Sequence, residues 1–237
     1  MSNEYFKFKQ FTIYQEKTAM KVGVDGVLLG AWIQANNSKT ILDIGTGTGL
    51  LSLMLAQKSD ALVTALEIDQ ESYMQALLNF ENSLWVNRIK ALNVSFQEYC
   101  SNSNTKFDLI ICNPPYFVQS LKSPDLKRNI ARHDDLLPLN ELFEGVSKLL
   151  SSRGRFVMIY PFEKRMNLYA EAKKNKLFAA NELIIRGSEK KNPNRIIVEF
   201  SWLNQICNPS ELVVRDHLNN DYTVAYKNLT KDYYLAF

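Results

Sequence analysis

The chain has 237 residues, 46% of them hydrophobic, and a net charge of +3. That length suits one α/β domain with additions, and the composition excludes a disordered or fibrous chain. The small positive charge permits a nucleic-acid partner without requiring one.

Met1-Ser2-Asn3-Glu4 is polar and no apolar stretch follows it. No apolar run is long enough to span a bilayer, so a cytoplasmic protein is expected. The cysteines are Cys100, Cys112 and Cys207. Their odd number and unpaired spacing argue against a disulfide framework or a zinc site, and no metal is expected. Cys112 ends an apolar run and reads as a small core residue.

Residues 1–39 form an N-terminal extension carrying Tyr5, Phe6, Phe8 and Phe11. From residue 40 onward, apolar runs alternate with helical patterns, the signature of a parallel sheet. Strands are expected over 40–44, 61–67, 89–95, 107–112 and 155–160. Helices are expected over 50–58, from Asp69 to about Leu84, over 139–150 and over 163–175. Asp69 caps its helix by accepting from free N–H groups of the first turn. Leu139, Leu142, Phe143, Val146, Leu149 and Leu150 share one face of the 139–150 helix. Residues 183–186 and 195–203 read as a terminal antiparallel pair around Gly187-Ser188 and Asn192-Pro193-Asn194. Residues 117–138 form a long polar connection, of the kind that often serves as a substrate loop. The expected fold is α/β: a doubly wound, mostly parallel seven-stranded sheet with an antiparallel last strand. One domain would span 1–237, with its core over 40–203 and a C-terminal addition over 204–237.

The first strand ends at Asp43-Ile44-Gly45-Thr46-Gly47-Thr48-Gly49. Glycines let the chain turn sharply and let a ligand approach the backbone, and the helix that follows offers free N–H groups. Gly45, Gly47 and Gly49 are alternate residues, unlike the G-x-G-x-x-G of dinucleotide sites, which disfavours an oxidoreductase. Asp43 would repel a diphosphate and attract an ammonium group. Glu67 ends the second strand, where a carboxylate can accept from both hydroxyls of a ribose. These features suit S-adenosylmethionine.

Asn113-Pro114-Pro115-Tyr116 leaves the fourth strand. The Asn113 side-chain oxygen and the Pro114 carbonyl can each accept a hydrogen bond from one NH2 group. Pro115 stiffens the turn, and the Tyr116 ring can stack on a planar group. Such a site favours a nitrogen lone pair directed at a methyl donor. Together the two motifs read as a class I, Rossmann-like methyltransferase acting on a planar nitrogen. Methyltransferases usually read the cofactor adenine after the third strand, often with an Asp. Ser95 stands there instead, and Phe96 is expected to stack on the ring.

The chain resembles the bacterial tRNA(Val) (adenine-N6)-methyltransferases. The resemblance rests on Phe8-Lys9-Gln10-Phe11, on Ala19 to Trp32, on both motifs, on Ala131-Arg132 and on Tyr233-Tyr234-Leu235. It implies N6-methylation of the adenosine 3′ of the anticodon, and it sets Lys21 and Asp25 beside the cofactor and substrate pocket. RNA contacts are expected from Arg128 and Arg132, and from Lys190 or Lys191, which equally suit a solvated turn. His133 reads as an exposed loop residue. Three other readings remain open. One is methylation of a glutamine amide in a release factor, which presents a similar NH2. Another is N6-adenine methylation of DNA or ribosomal RNA, and the third is a non-catalytic RNA-binding protein.

Overall fold

The computed structural model describes residues 3–18, 20–114 and 137–237. Two short strands, β1 (Tyr5–Lys7) and β2 (Thr12–Tyr14), pair antiparallel and lead to helix α1 (Val24–Trp32). Then come β3 (Thr40–Ile44), α2 (Leu50–Lys58), β4 (Leu62–Glu67), α3 (Gln70–Glu81) and β5 (Ile89–Asn93). The second half holds α4 (Phe96–Asn102), β6 (Phe107–Cys112), α5 (Leu139–Leu149), β7 (Leu150–Pro161) and α6 (Arg165–Lys174). It closes with β8 (Phe178–Ser188), β9 (Arg195–Ser201), β10 (Asn208–Arg215) and α7 (Val224–Thr230).

The main sheet has the order β10-β8-β9-β7-β6-β3-β4-β5. β5, β4, β3, β6 and β7 run parallel. The seven strands expected from the sequence are all present, and β10 adds an eighth at the edge, parallel to β8. The antiparallel strand, β9, lies inside the sheet, paired with both β7 and β8. The chain reaches β8 by skipping one position, and the short turn over 189–194 returns β9 into the gap.

The central strands are apolar on both faces because helices cover both. On one face Ile110 and Cys112 of β6 pack with Phe143 and Val146 of α5 and with Phe156 and Met158 of β7. On the other, Leu109 and Ile111 meet Leu28, Leu29 and Ile33 of α1 and Leu51 and Leu55 of α2. Each such fully buried side chain stabilises the fold by roughly 1.5–3 kcal/mol relative to exposure. The N-terminal aromatics belong to this packing: Phe8 and Phe11 are buried, with ring centroids 4.7 Å apart, and Phe8 lies 5.9 Å from Tyr234. Among the described residues no helix is long and apolar enough to cross a membrane.

β3 and β6 are neighbours, yet the chain leaves them towards opposite edges of the sheet. The carboxyl ends of strands at such a reversal form a crevice that the sheet itself does not fill. Ile44 pairs with Cys112 across it, so the Gly-rich turn and Asn113 leave adjacent strands side by side.

Candidate active site

In the turn after β3, Gly45 is exposed and Gly47 half-buried, alternating with buried Thr46 and Thr48, and Gly49 is buried. Gly45, Gly47 and Gly49 all have positive φ, at 68°, 56° and 82°. No described heavy atom lies within 4 Å of where a Cβ on Gly45 or Gly47 would sit, so that side of the turn is open. At Gly49 the reason for glycine is inside the fold: a Cβ there would meet Phe80 Cε1 at 2.4 Å. Thr46 and Thr48 point inward.

Asp43 is fully buried beneath the turn. Its Oδ2 accepts from Thr46 Oγ1 at 2.6 Å and from Ser52 Oγ at 2.7 Å. Its Oδ1 is buried and has no hydrogen-bond partner among the described residues, a costly state for a carboxylate oxygen. Burial pushes the carboxyl up to about 6, the Glu67 charge adds to this, and the two hydroxyl bonds oppose it.

Glu67, at the end of β4, is also buried. Its Oε2 accepts from Gly47 N at 2.8 Å and its Oε1 from Asp69 N at 3.0 Å. The carboxylate therefore stands across from the glycine turn, held by two backbone N–H groups. Asp69 caps α3 as expected, accepting from Ser72 N at 2.8 Å.

Further polar residues, which sequence reasoning missed, hold this framework. Asn79 of α3 donates to Thr48 O at 2.8 Å and exchanges bonds with the backbone of Tyr14, tying the glycine turn to the N-terminal hairpin. Its only signal in the sequence is a polar residue on the face that carries Ala76 and Phe80. Asn93 donates to the carbonyls of Glu67 and Ile68 and fixes the exit of β4.

One expectation around the third strand is corrected, that the Phe96 ring stacks on the cofactor adenine. Ser95 caps α4, its Oγ accepting from Glu98 N at 3.1 Å. Phe96 is 4% exposed and lies in the core, where a Cβ on Gly145 of α5 would meet its ring at 2.5 Å. Stacking on an adenine is therefore not available to Phe96 here. The first turn of α4 rotates the ring under the sheet because that helix buries an apolar face against α5.

Asn113 and Pro114 follow β6 at the crevice, half-buried. Asn113 Nδ2 lies 3.6 Å from where a Cβ on Gly26 would sit, so α1 backs the amide. Cys112 beside it is buried, and burial, with Asp43 near, pushes its thiol far above the ordinary range. A thiol so held is a poor nucleophile. Lys21 is exposed, its Nζ donating to Asn3 O at 3.2 Å. Asp25 is paired with Arg195 at 2.8 Å. Lys190 and Lys191 are exposed on the turn between β8 and β9, at the end of the sheet where the parallel strands finish. Pro115, Tyr116, Arg128, Arg132 and His133 lie outside the described residues. Among the described residues no group of three or more His, Cys, Asp or Glu could hold a metal ion.

The model of the methyltransferase small domain matches residues 20–168, the stretch that carries both motifs. A tRNA1(Val) (adenine(37)-N6)-methyltransferase of Parabacteroides distasonis is 42% identical over 235 residues, 99% of each chain. One of Bacteroides thetaiotaomicron, with the same name, is 43% identical over 237 residues and 99% of each chain. The chain belongs to this family. Among solved structures, a predicted O-methyltransferase from Agrobacterium tumefaciens superposes with a TM-score of 0.71 at 17% identity, covering 88% of this chain and 96% of its own. Pyrococcus horikoshii TYW2, solved in complex with MeSAdo, gives 0.57 at 14% identity, covering 83% and 69%. These two share the fold with the family.

Proposed function

We propose that this protein transfers the methyl group of S-adenosylmethionine to N6 of an adenosine in tRNA, the adenosine at position 37 of tRNA1(Val). The observation that carries the reading is the pairing of Ile44 with Cys112, which sets the glycine turn and Asn113 side by side. The tRNA1(Val) (adenine(37)-N6)-methyltransferases that match the whole chain support the substrate. The whole chain serves as one methyltransferase unit acting in the cytoplasm, where tRNA is.

The residues fit the cofactor. Gly45 and Gly47 leave open space above the turn, Glu67 faces it, and Asp43 keeps a buried oxygen without a donor. Gly45 and Gly47 would take the cofactor backbone-close, Glu67 the ribose hydroxyls, and Asp43 the methionyl ammonium through water. S-adenosylmethionine supplies an electrophilic methyl on a sulfonium, already a good leaving group, so the step needs no Lewis acid. Asn113 Oδ1 and the Pro114 carbonyl accept the two amine hydrogens of the target adenine. That favours a pyramidal nitrogen, whose lone pair forms the new N–C bond as the S–CH3 bond breaks. One amine proton then departs to solvent. Tyr116 holds the base by stacking. Positioning and electrostatics supply the rate.

Nucleoside mass spectrometry of tRNA from a strain lacking the gene tests the reading. N6-methyladenosine should disappear from tRNA1(Val), and its persistence would overturn the substrate. Purified protein offered a tRNA1(Val) transcript and a release-factor domain side by side should label the RNA. Methyl found in the protein instead would establish the glutamine-amide reading.

Asp43 gives the site a pH dependence of stated sign. Its folded value of about 6 exceeds the ordinary 3.8, so folding favours the protonated form. The stabilisation is complete below about pH 4 and is lost as pH rises through 6, a difference of about 3 kcal/mol. A bound ammonium reverses the preference, because it attracts the ionised carboxylate. Cofactor affinity should therefore weaken as pH falls from 7 to 5, measured by calorimetry. Asp43→Asn should bind weakly with a flat profile. Parallel profiles for the two proteins would remove Asp43 from the cofactor site.

A folded tRNA must have its phosphates met by cations, and Arg128, Arg132, Lys190 and Lys191 are the proposed carriers. Each phosphate interaction removed should flatten the log–log salt dependence of RNA binding by somewhat less than about one unit. Arg128→Ala with Arg132→Ala, and separately Lys190→Ala with Lys191→Ala, should lower tRNA affinity and flatten that slope. Cofactor affinity should stay unchanged in both. An unchanged slope returns the affected pair to the role of solvated side chains.

A further inference from the structure

Asn113 can orient a target amine only if its own amide is held, and part of the wall behind it comes from far away in sequence. Gly26 is buried in the first turn of α1. A Cβ there would sit 3.6 Å from Asn113 Nδ2 and 3.0 Å from Leu50 Cδ2. The Gly26 backbone thus lies close behind the Asn113 amide, and displacing this turn would change the space the amide occupies.

The preceding residue fixes the turn to the sheet. Asp25 Oδ2 accepts from Arg195 Nε at 2.8 Å, across 170 positions of sequence. Arg195 opens β9 and pairs with Pro161 at the carboxyl end of β7. That strand is the direct neighbour of β6, with Met158 opposite Cys112. Arg195 is braced in turn by a 3.0 Å bond from its guanidinium to Asn194 O. One ion pair thus joins the helix turn behind Asn113 to the strand ends beside it.

We propose that Asp25 and Arg195 are a positioning pair, seating the first turn of α1 so that the Asn113 amide meets the target amine at the right angle. This rests on the adenine-N6 reading of the site. The side chains are 33% and 23% exposed, and an ion pair that wet adds little to stability. Its weight falls on geometry, where a misplacement of about 1 Å can cost up to about a hundredfold in rate.

The test compares Asp25→Asn, Arg195→Gln, their double variant and Arg195→Lys with the wild type. Each single variant should lose on the order of tenfold in kcat at saturating tRNA and cofactor. KM for tRNA, cofactor Kd and melting temperature should hold. The double variant should be no worse than the singles, and Arg195→Lys should recover most of the rate. Loss confined to KM for tRNA in Arg195→Gln would make that residue a phosphate ligand. Loss confined to cofactor Kd in Asp25→Asn would make Asp25 a cofactor ligand. Either result, or unchanged kcat, overturns the proposal. A substrate-free readout keeps it separate from the tRNA reading. The side-chain amide NMR signal of Asn113, assigned by its absence in Asn113→Ala, should shift in Asp25→Asn. It should not move when the remote Lys227–Asp221 pair is removed by Lys227→Ala. An Asn113 signal unchanged in Asp25→Asn overturns the proposal even if tRNA is not the substrate.

Discussion

Asn113→Ala is expected to abolish measurable methyl transfer while S-adenosylmethionine binding stays nearly intact. Asn113 leaves β6, whereas the open glycine turn, Asp43 and Glu67 belong to β3 and β4. The two functions therefore sit on separate strands. The group removed is the acceptor proposed for the reacting amine. Deleting one such preorganised dipole typically costs about 10²–10³-fold in rate. Here Pro114 would be left to hold the amine alone, and a loss at or beyond the upper end is expected. Calorimetry with the cofactor and single-turnover methylation of the tRNA transcript separate binding from chemistry. Activity retained within a few-fold would end the catalytic assignment of Asn113.

Gly47→Val is expected to do the converse and remove cofactor binding first. Gly47 has φ +56°, and the space beyond its missing Cβ is open. A β-branched residue in that backbone region is strained by about 1–2 kcal/mol. Its methyls would project into the space the cofactor has to fill. The Glu67 carboxylate, held by the Gly47 N–H at 2.8 Å, would shift with the turn. Steric exclusion of the cofactor carries the affinity loss, while the strain of about 1–2 kcal/mol weighs on the fold with or without ligand. Gly49→Val differs in kind: it drives into Phe80 and should lower the melting temperature before any ligand is added. A Gly47→Val protein that folds normally and binds cofactor like the wild type would place the cofactor elsewhere.

The sheet was legible because its strands carry local signals. Residues 40–44 and 107–112 are continuous apolar runs bounded by turn residues, and the expected bounds are those of β3 and β6. The Asp69 cap was legible for the same reason, since a cap satisfies N–H groups only three residues away. The N-terminal hairpin and α1 were not legible as elements. Their stability comes from packing on α2, α3 and the C-terminal Tyr234, at separations no short pattern encodes. β10 was missed because an edge strand needs only one neighbour, here β8.

The site divides in the same way. By itself the sequence pointed to the proposed chemistry: an acid and then alternating glycines at the end of one strand, an acid at the end of the next, and Asn-Pro-Pro-Tyr after the fourth. The roles proposed for those residues rest on backbone conformation and acceptor groups, which neighbours in sequence suffice to define. Only the tertiary structure decided which side chains face the crevice. Phe96 and Ser95 follow a strand end as Glu67 nearly does, yet one is turned into the core against Gly145 and the other onto its own helix cap. Asp25 found its partner 170 residues away. Facing is set by helix rotation and strand order, and both follow from the burial of whole apolar faces rather than from any single residue.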